Sequence, residues 1–125
     1  MINEQYGRKR NVVGAHYGVW GFLIQRITAV ILAVYSTCFL IALLVLPASY
    51  DSWVSIFRWS LFDIPLGKIF TMLAFLSMSW HAFIGARDIF MDYVKPAGLR
   101  LALHVFCILW LIFAIVYFAN VLWSL

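Results

Sequence analysis

His81 is the side chain of this sequence that is best suited to hold a metal cofactor inside a membrane. It lies in the stretch 69–86, which contains no Asp, Glu, Lys or Arg. Roughly 15 Å of helix separate it from Met91, where we expect this segment to end. An ionisable residue at that depth is costly in lipid and is a functional candidate by default. The alternative is a neutral histidine that hydrogen-bonds to a neighbouring helix.

Small side chains share one helix face with His81. Ser77 and Gly85 lie four residues before and after it, and Ala74 and Ala82 border the same face. A flat ligand such as haem could lie against this face, with the neutral imidazole as an axial ligand to the iron. Ordinary close packing of helices would explain the same small residues. A haem held by two histidines would need the second one from another subunit, because no other segment here carries a histidine at matching depth.

A polar corner follows this segment and has a different chemistry. The phenol of Tyr93 can donate a hydrogen bond to a carbonyl oxygen, and Asp92 and Lys95 stand beside it. A quinone needs such a donor, a route for protons and an apolar path for its tail. The alternative is an interfacial anchor, since tyrosine and lysine commonly mark the membrane edge. About 18 Å would separate His81 from Tyr93 along a continuous helix.

The composition identifies an all-α membrane protein. Of its 125 residues, 66% are hydrophobic and 11% are charged, whereas soluble domains carry about 25% charged residues. Three long stretches lack Asp, Glu, Lys and Arg, and each is long enough to span a bilayer. We expect one domain over residues 1–125 with three transmembrane helices, at about 22–46, 66–91 and 99–123. The first is too long to be a cleaved signal peptide.

The basic residues predict the orientation of the spans rather than a nucleic-acid partner. Lys and Arg number seven on the side of the N-terminus and second loop and two on the other. The first group is Arg8, Lys9, Arg10, Arg26, Arg87, Lys95 and Arg100, and the second is Arg58 and Lys68. Basic residues stay on the cytoplasmic side, so the N-terminus and the polar corner are predicted to be cytoplasmic. A short polar arm, interrupted by Gly14, Gly18 and Gly21, is expected to precede the first span.

Two further features accompany the spans. In the first loop, apolar residues recur at helical spacing and predict a short amphipathic helix in the membrane interface; they are Trp53, Ile56, Phe57 and Leu61. Arg26 lies one turn inside the first predicted span. Its side chain either reaches back to the interface or faces the bundle and meets an anionic group.

Residues of the second span and its loop resemble a known family. His81-Ala82-Phe83-Ile84-Gly85, the run from Asp92 to Pro96 (DYVKP), and Leu99-Arg100-Leu101 are similar to the hydrophobic membrane anchor of succinate dehydrogenase, and more closely to the second of the two anchors of the bacterial enzyme. The resemblance covers nearly the whole chain, including an Arg-Ile-Thr-Ala run early in the first span. It implies a component of respiratory complex II in a multi-pass arrangement in the bacterial inner membrane, with a mitochondrial location less favoured.

The resemblance also implies roles for individual residues. His81 matches the family's axial ligand to the iron of haem b, with the other ligand from a partner anchor, the cytochrome b subunit. Tyr93 matches the tyrosine that hydrogen-bonds ubiquinone, and Asp92 matches the acid beside it. Arg26 matches an arginine offered here as a haem-propionate contact. The implied partners are that cytochrome b anchor, an iron–sulfur subunit, a flavoprotein subunit and membrane lipid.

Three functions remain open from the sequence. The first is an anchor of succinate:quinone oxidoreductase that has no catalytic residue of its own for succinate. The second is a haem-free structural anchor of a fumarate reductase-like complex. The third is a small transporter subunit with His81 on the pathway, which fits poorly because the predicted spans show no internal repeat. The charged pair Arg87-Asp88 and the position of His104 depart from the pattern expected of the family.

Overall fold

The described part of the chain folds into four α-helices, three of them long. The computed structural model describes residues 15–125, with side chains from Gly18 onward. The helices are α1 (Ala15–Val45), α2 (Tyr50–Arg58), α3 (Leu66–Tyr93) and α4 (Ala97–Ser124). Helices α1, α3 and α4 are each long and apolar enough to cross a membrane. The prediction of an all-α protein with three spans is therefore confirmed, and its orientation stays a prediction.

Helix α1 begins earlier than the sequence suggested. It starts at Ala15 and runs through Gly18 and Gly21, so these glycines do not interrupt it. Each glycine costs a helix only about 1 kcal/mol, whereas backbone groups left unpaired in lipid cost several. The helix therefore continues through the glycines among apolar neighbours. The predicted basic arm around Arg8–Arg10 lies outside the described residues.

Helix α2 is the predicted amphipathic helix of the first loop, but it is shorter than expected. Ser49 caps it by accepting a hydrogen bond from the backbone N–H of Ser52 at 3.2 Å. It ends at Arg58, so Leu61 lies outside it, in a turn closed by hydrogen bonds between Leu61 and Ile64. The backbone leaves the helix at Trp59, whose ψ of 140° is extended, and Phe62 and Asp63 adopt positive φ in the turn that follows, at 49° and 61°.

Helix α3 is the central element, because it packs against α1, α2 and α4. Its contact with α4 includes the stacked rings of Phe75 and Phe118, whose centroids are 4.0 Å apart. Its contact with α1 includes the hydroxyl of Tyr35, 2.7 Å from Thr71 Oγ1. Most large apolar side chains of the described part point outward, as expected for a protein whose surroundings are lipid and other subunits.

Candidate functional site

His81 lies half-buried at the seam between α3 and α1. Its Nδ1 is 3.2 Å from Thr28 Oγ1, and its Nε2 is 3.5 Å from the side-chain nitrogen of Gln25. Gln25 and Thr28 are three residues apart, so they lie on the same side of α1. Helix α1 therefore holds the imidazole at both ring nitrogens.

Helix packing covers one end of the small-residue face around His81 and leaves the other end open. Ala74 and Ser77 are buried, with exposed fractions of 5% and 6%, so this end is used for helix contact. At this end the alternative of ordinary helix packing applies, because neighbouring helices cover the face. Beyond His81 the face is open: Ala82 is exposed, and a side chain built at Gly85 would meet no atom within 4 Å. Space for a flat ligand therefore remains only towards the Gly85 end.

Gln25 and Thr28 are site residues that sequence reasoning missed. Both are polar and stand about one turn apart in a predominantly apolar span, which was the available signal. Thr28 is 7% exposed, and the side-chain oxygen of Gln25 is buried with no hydrogen-bond partner in the described part of the chain. A polar pair buried in a span has to face a polar group on a neighbouring helix, and that group is His81.

Asp92 and Tyr93 lie in the last turn of α3 rather than in a loop. The turn closes with the Val94 N–H donating to Phe90 O at 3.2 Å. Since the helix is continuous from His81, Asp92 lies about 20° from it around the axis and Tyr93 about 120°. Both side chains are exposed, Tyr93 by 80%. The phenol is therefore presented to whatever surrounds the end of α3.

The structure does not bring Arg26 into contact with His81. The Arg26 side chain is exposed, and its guanidinium lies 4.9 Å from the centre of the Phe22 ring. This is a cation–π contact one turn along α1. The position leaves the guanidinium accessible from outside the chain, so a propionate contact stays a prediction.

His104 serves a local structural contact on α4. Its Nδ1–H donates to the carbonyl of Arg100 at 2.7 Å, and its ring meets the Phe90 ring edge-on with centroids 5.6 Å apart. His104 thus joins α4 to the last turns of α3. The side chain of His16 lies outside the described residues.

The donor chemistry of the site fits haem better than a bare metal ion. In the part of the chain that the structure describes, no three His, Cys, Asp or Glu side chains converge on one point. A macrocycle brings its own equatorial ligands and asks the protein for axial ones only. One imidazole beside the open space at Gly85 meets that need from one side.

A cavity between α1, α2 and α3 lies away from these residues. It measures about 710 Å³, and its lining includes Tyr35, Phe39, Trp59 and Thr71. Neither His81 nor Tyr93 lines it. His81 lies near the middle of α3, about two turns beyond the cavity lining, and Tyr93 lies at the end of α3 opposite to this cavity.

Fold and site together define a multi-pass helical membrane protein with one imidazole held between two of its spans. A family model described as the succinate dehydrogenase/fumarate reductase transmembrane subunit matches residues 2–119. The chain belongs to this family.

Two relatives carry more specific names. The chain is 37% identical over 107 residues to the succinate dehydrogenase hydrophobic membrane anchor subunit of Coxiella burnetii. The aligned residues make up 85% of this chain and 89% of that protein. The chain is also 32% identical over 111 residues to the subunit of the same name from Rickettsia bellii, covering 89% and 86%.

Proposed function

We propose that this chain is the membrane anchor of a succinate:quinone oxidoreductase in the bacterial inner membrane, and that it supplies one axial ligand to haem b and part of the ubiquinone site. The observation that carries the proposal is His81, a histidine at membrane depth in a chain of this family. A partner anchor would supply the other haem ligand. The succinate-oxidising flavoprotein and the iron–sulfur subunit would bind on the cytoplasmic side.

In this proposal His81 would hold haem through one neutral ring nitrogen. Haem, when bound, supplies one-electron redox chemistry. The protein's own contribution is position: α1 orients the ring through Thr28 at Nδ1, and the open face near Gly85 leaves room for the macrocycle.

Tyr93 and Asp92 would serve the quinone. Succinate gives up two electrons and two protons to become fumarate, and the quinone takes up two of each to become quinol. The Tyr93 O–H would donate to a quinone carbonyl oxygen and orient it, while the Asp92 carboxylate would lie on the proton route. Their exposure at the end of α3 supports this, because the remaining walls of the site must come from partner subunits.

A haem-free anchor is the second candidate, and one observation favours it. Both ring nitrogens of His81 already have polar neighbours within the chain, which is what a packing histidine requires. The two candidates differ in the partner of His81 Nε2, which is iron in the haem-binding anchor and the Gln25 amide in the haem-free one. They share the quinone site and the partner subunits.

The experiment is a reduced-minus-oxidised absorbance spectrum of the complex purified through this chain. Wild type, His81→Ala and the matched control His104→Ala are compared. We expect a b-type haem band that is lost or shifted in His81→Ala and unchanged in His104→Ala, whose ring bonds to its own helix. A wild-type complex without a haem band would overturn the haem role in favour of the haem-free anchor.

A further inference from the structure

The hydroxyl of Thr28 has one proton and three candidate acceptors. Its Oγ1 lies 2.7 Å from the carbonyl oxygen of Ile24, 3.2 Å from that of Gln25 and 3.2 Å from His81 Nδ1. The shortest of these is the bond to the carbonyl four residues earlier, which is the usual partner of a threonine inside a helix. With the proton directed to Ile24, the oxygen lone pairs remain to accept a bond from His81.

The same arrangement occurs elsewhere on this seam. Thr71 donates to the carbonyl of Gly67 at 2.7 Å, and its oxygen lies 2.7 Å from the hydroxyl of Tyr35 on the facing helix. Because Thr71 has no second proton, Tyr35 is the donor. A threonine bonded to its own helix is thus an acceptor for a group across the seam.

His81 faces Thr28 in the same way that Tyr35 faces Thr71, so the ring proton of His81 lies on Nδ1. Nδ1–H donates to Thr28, and Nε2 is left with its lone pair. The Gln25 amide faces that lone pair at 3.5 Å, a long hydrogen bond that is weak by ordinary criteria. The opposite tautomer would need the Gln25 carboxamide turned over and the Thr28 proton moved from its nearest acceptor to a more distant one.

We propose that Thr28 is a positioning residue that fixes the tautomer of His81, keeping Nε2 free to bind iron, and that Gln25 occupies Nε2 only until iron takes it. This inference rests on the proposed role of His81 as a haem ligand. Metal-binding histidines commonly donate their other N–H to a neighbouring group, which orients the ring and makes the coordinating nitrogen more basic. Here the group that accepts this hydrogen bond is a threonine hydroxyl on another helix.

The test uses the complete complex and four substitutions on α1, one of which is Thr28→Ala. Thr28→Val removes the hydroxyl at nearly constant shape, and Thr28→Ser keeps it. Thr37→Val is the matched control, because the Thr37 side chain is exposed and bonds to the carbonyl of Ala33 on its own helix at 2.7 Å. The readouts are haem per flavin, the haem midpoint potential and the electron paramagnetic resonance spectrum of the oxidised haem.

We expect Thr28→Val to weaken haem retention about 10–100-fold and to raise the midpoint potential, because a less basic imidazole stabilises ferric iron less. The resonance spectrum should shift with it. Thr28→Ser should restore all three readouts, and Thr37→Val should match wild type. Thr28→Ala, which removes the hydroxyl and also some volume, should move the potential in the same direction as Thr28→Val.

The outcomes separate this inference from the function on which it rests. Haem that depends on His81, with a potential and resonance spectrum unchanged in Thr28→Val and Thr28→Ala, would overturn the role of Thr28 and leave the ligand role intact. A wild-type complex without haem would overturn both.

Discussion

Gly67 provides the sharpest test of how the helices are held together. A Cβ atom at this position would lie 2.5 Å from the carbonyl oxygen of Phe57, 2.8 Å from its carbonyl carbon and 2.8 Å from Cδ1 of Trp59. The Gly67 N–H also donates to the Trp59 carbonyl at 3.0 Å. Two of the three obstructing atoms are backbone, so they cannot rotate away, and α2 as a whole would have to move in Gly67→Ala.

The expected cost follows from a comparison with Gly98. Gly67 and Gly98 are each the second residue of their helix, α3 and α4, so alanine changes the helix propensity similarly at both. A Cβ at Gly98 would meet no atom within 4 Å. The difference between Gly67→Ala and Gly98→Ala is therefore the overpacking term alone, about 1–3 kcal/mol. Because backbone is in the way, we expect the upper part of that range.

The assay is detergent-induced unfolding of the purified complex in mixed micelles, followed by circular dichroism. Gly67→Ala should unfold at a lower denaturant fraction than wild type, and Gly98→Ala at the wild-type fraction or slightly above. The haem spectrum should be the same in both, since about 21 Å of helix separate Gly67 from His81. Equal midpoints for the two variants would refute the close approach of α2 to α3.

Three further outcomes are expected at the seam between α1 and α3 and at the C-terminal end of α3. Tyr35→Phe removes the donor to Thr71 and should cost about 0.6 kcal/mol in the same unfolding assay; a loss above about 2 kcal/mol would contradict a single lost hydrogen bond. Tyr93→Phe should lower succinate–ubiquinone reductase activity about tenfold or more, as expected for a lost hydrogen bond to a carbonyl oxygen that gains negative charge as the quinone is reduced. Its succinate oxidation with a soluble electron acceptor should stay at the wild-type rate, and unchanged quinone reduction would remove Tyr93 from the site. Gln25→Leu should retain haem at least as well as wild type, because the amide competes with iron for His81 Nε2; loss of haem would show that Gln25 supports the ligand instead.

The sequence predicted the helices better than their ends. Three spans and a loop helix follow from apolar length and periodicity, which are properties of neighbouring residues. The early start of α1 at Ala15 and the late end of α3 at Tyr93 were missed, because Gly18, Gly21 and the charges near Asp92 read as interruptions. In lipid, pairing of the backbone outweighs the small local cost of such residues, so the helices extend through them.

The small-residue face illustrates a second limit. From the sequence, Ala74, Ser77 and Gly85 form one face with two possible uses, ligand binding or packing. The structure buries Ala74 and Ser77 and leaves space at Gly85. Which use applies at each residue depends on how closely a neighbouring helix approaches, and helical spacing alone carries no information about that distance.

The sequence by itself determined that this is a three-span membrane protein and that His81 and Tyr93 are its residues most suited to chemistry. Span length, missing charge and side-chain type are local properties, so they can be read without coordinates. Only the tertiary structure brought Gln25 and Thr28 to the two nitrogens of His81, across 56 and 53 residues of chain. Such contacts depend on the rotation and depth of α1 against α3, which are set by packing along the whole seam.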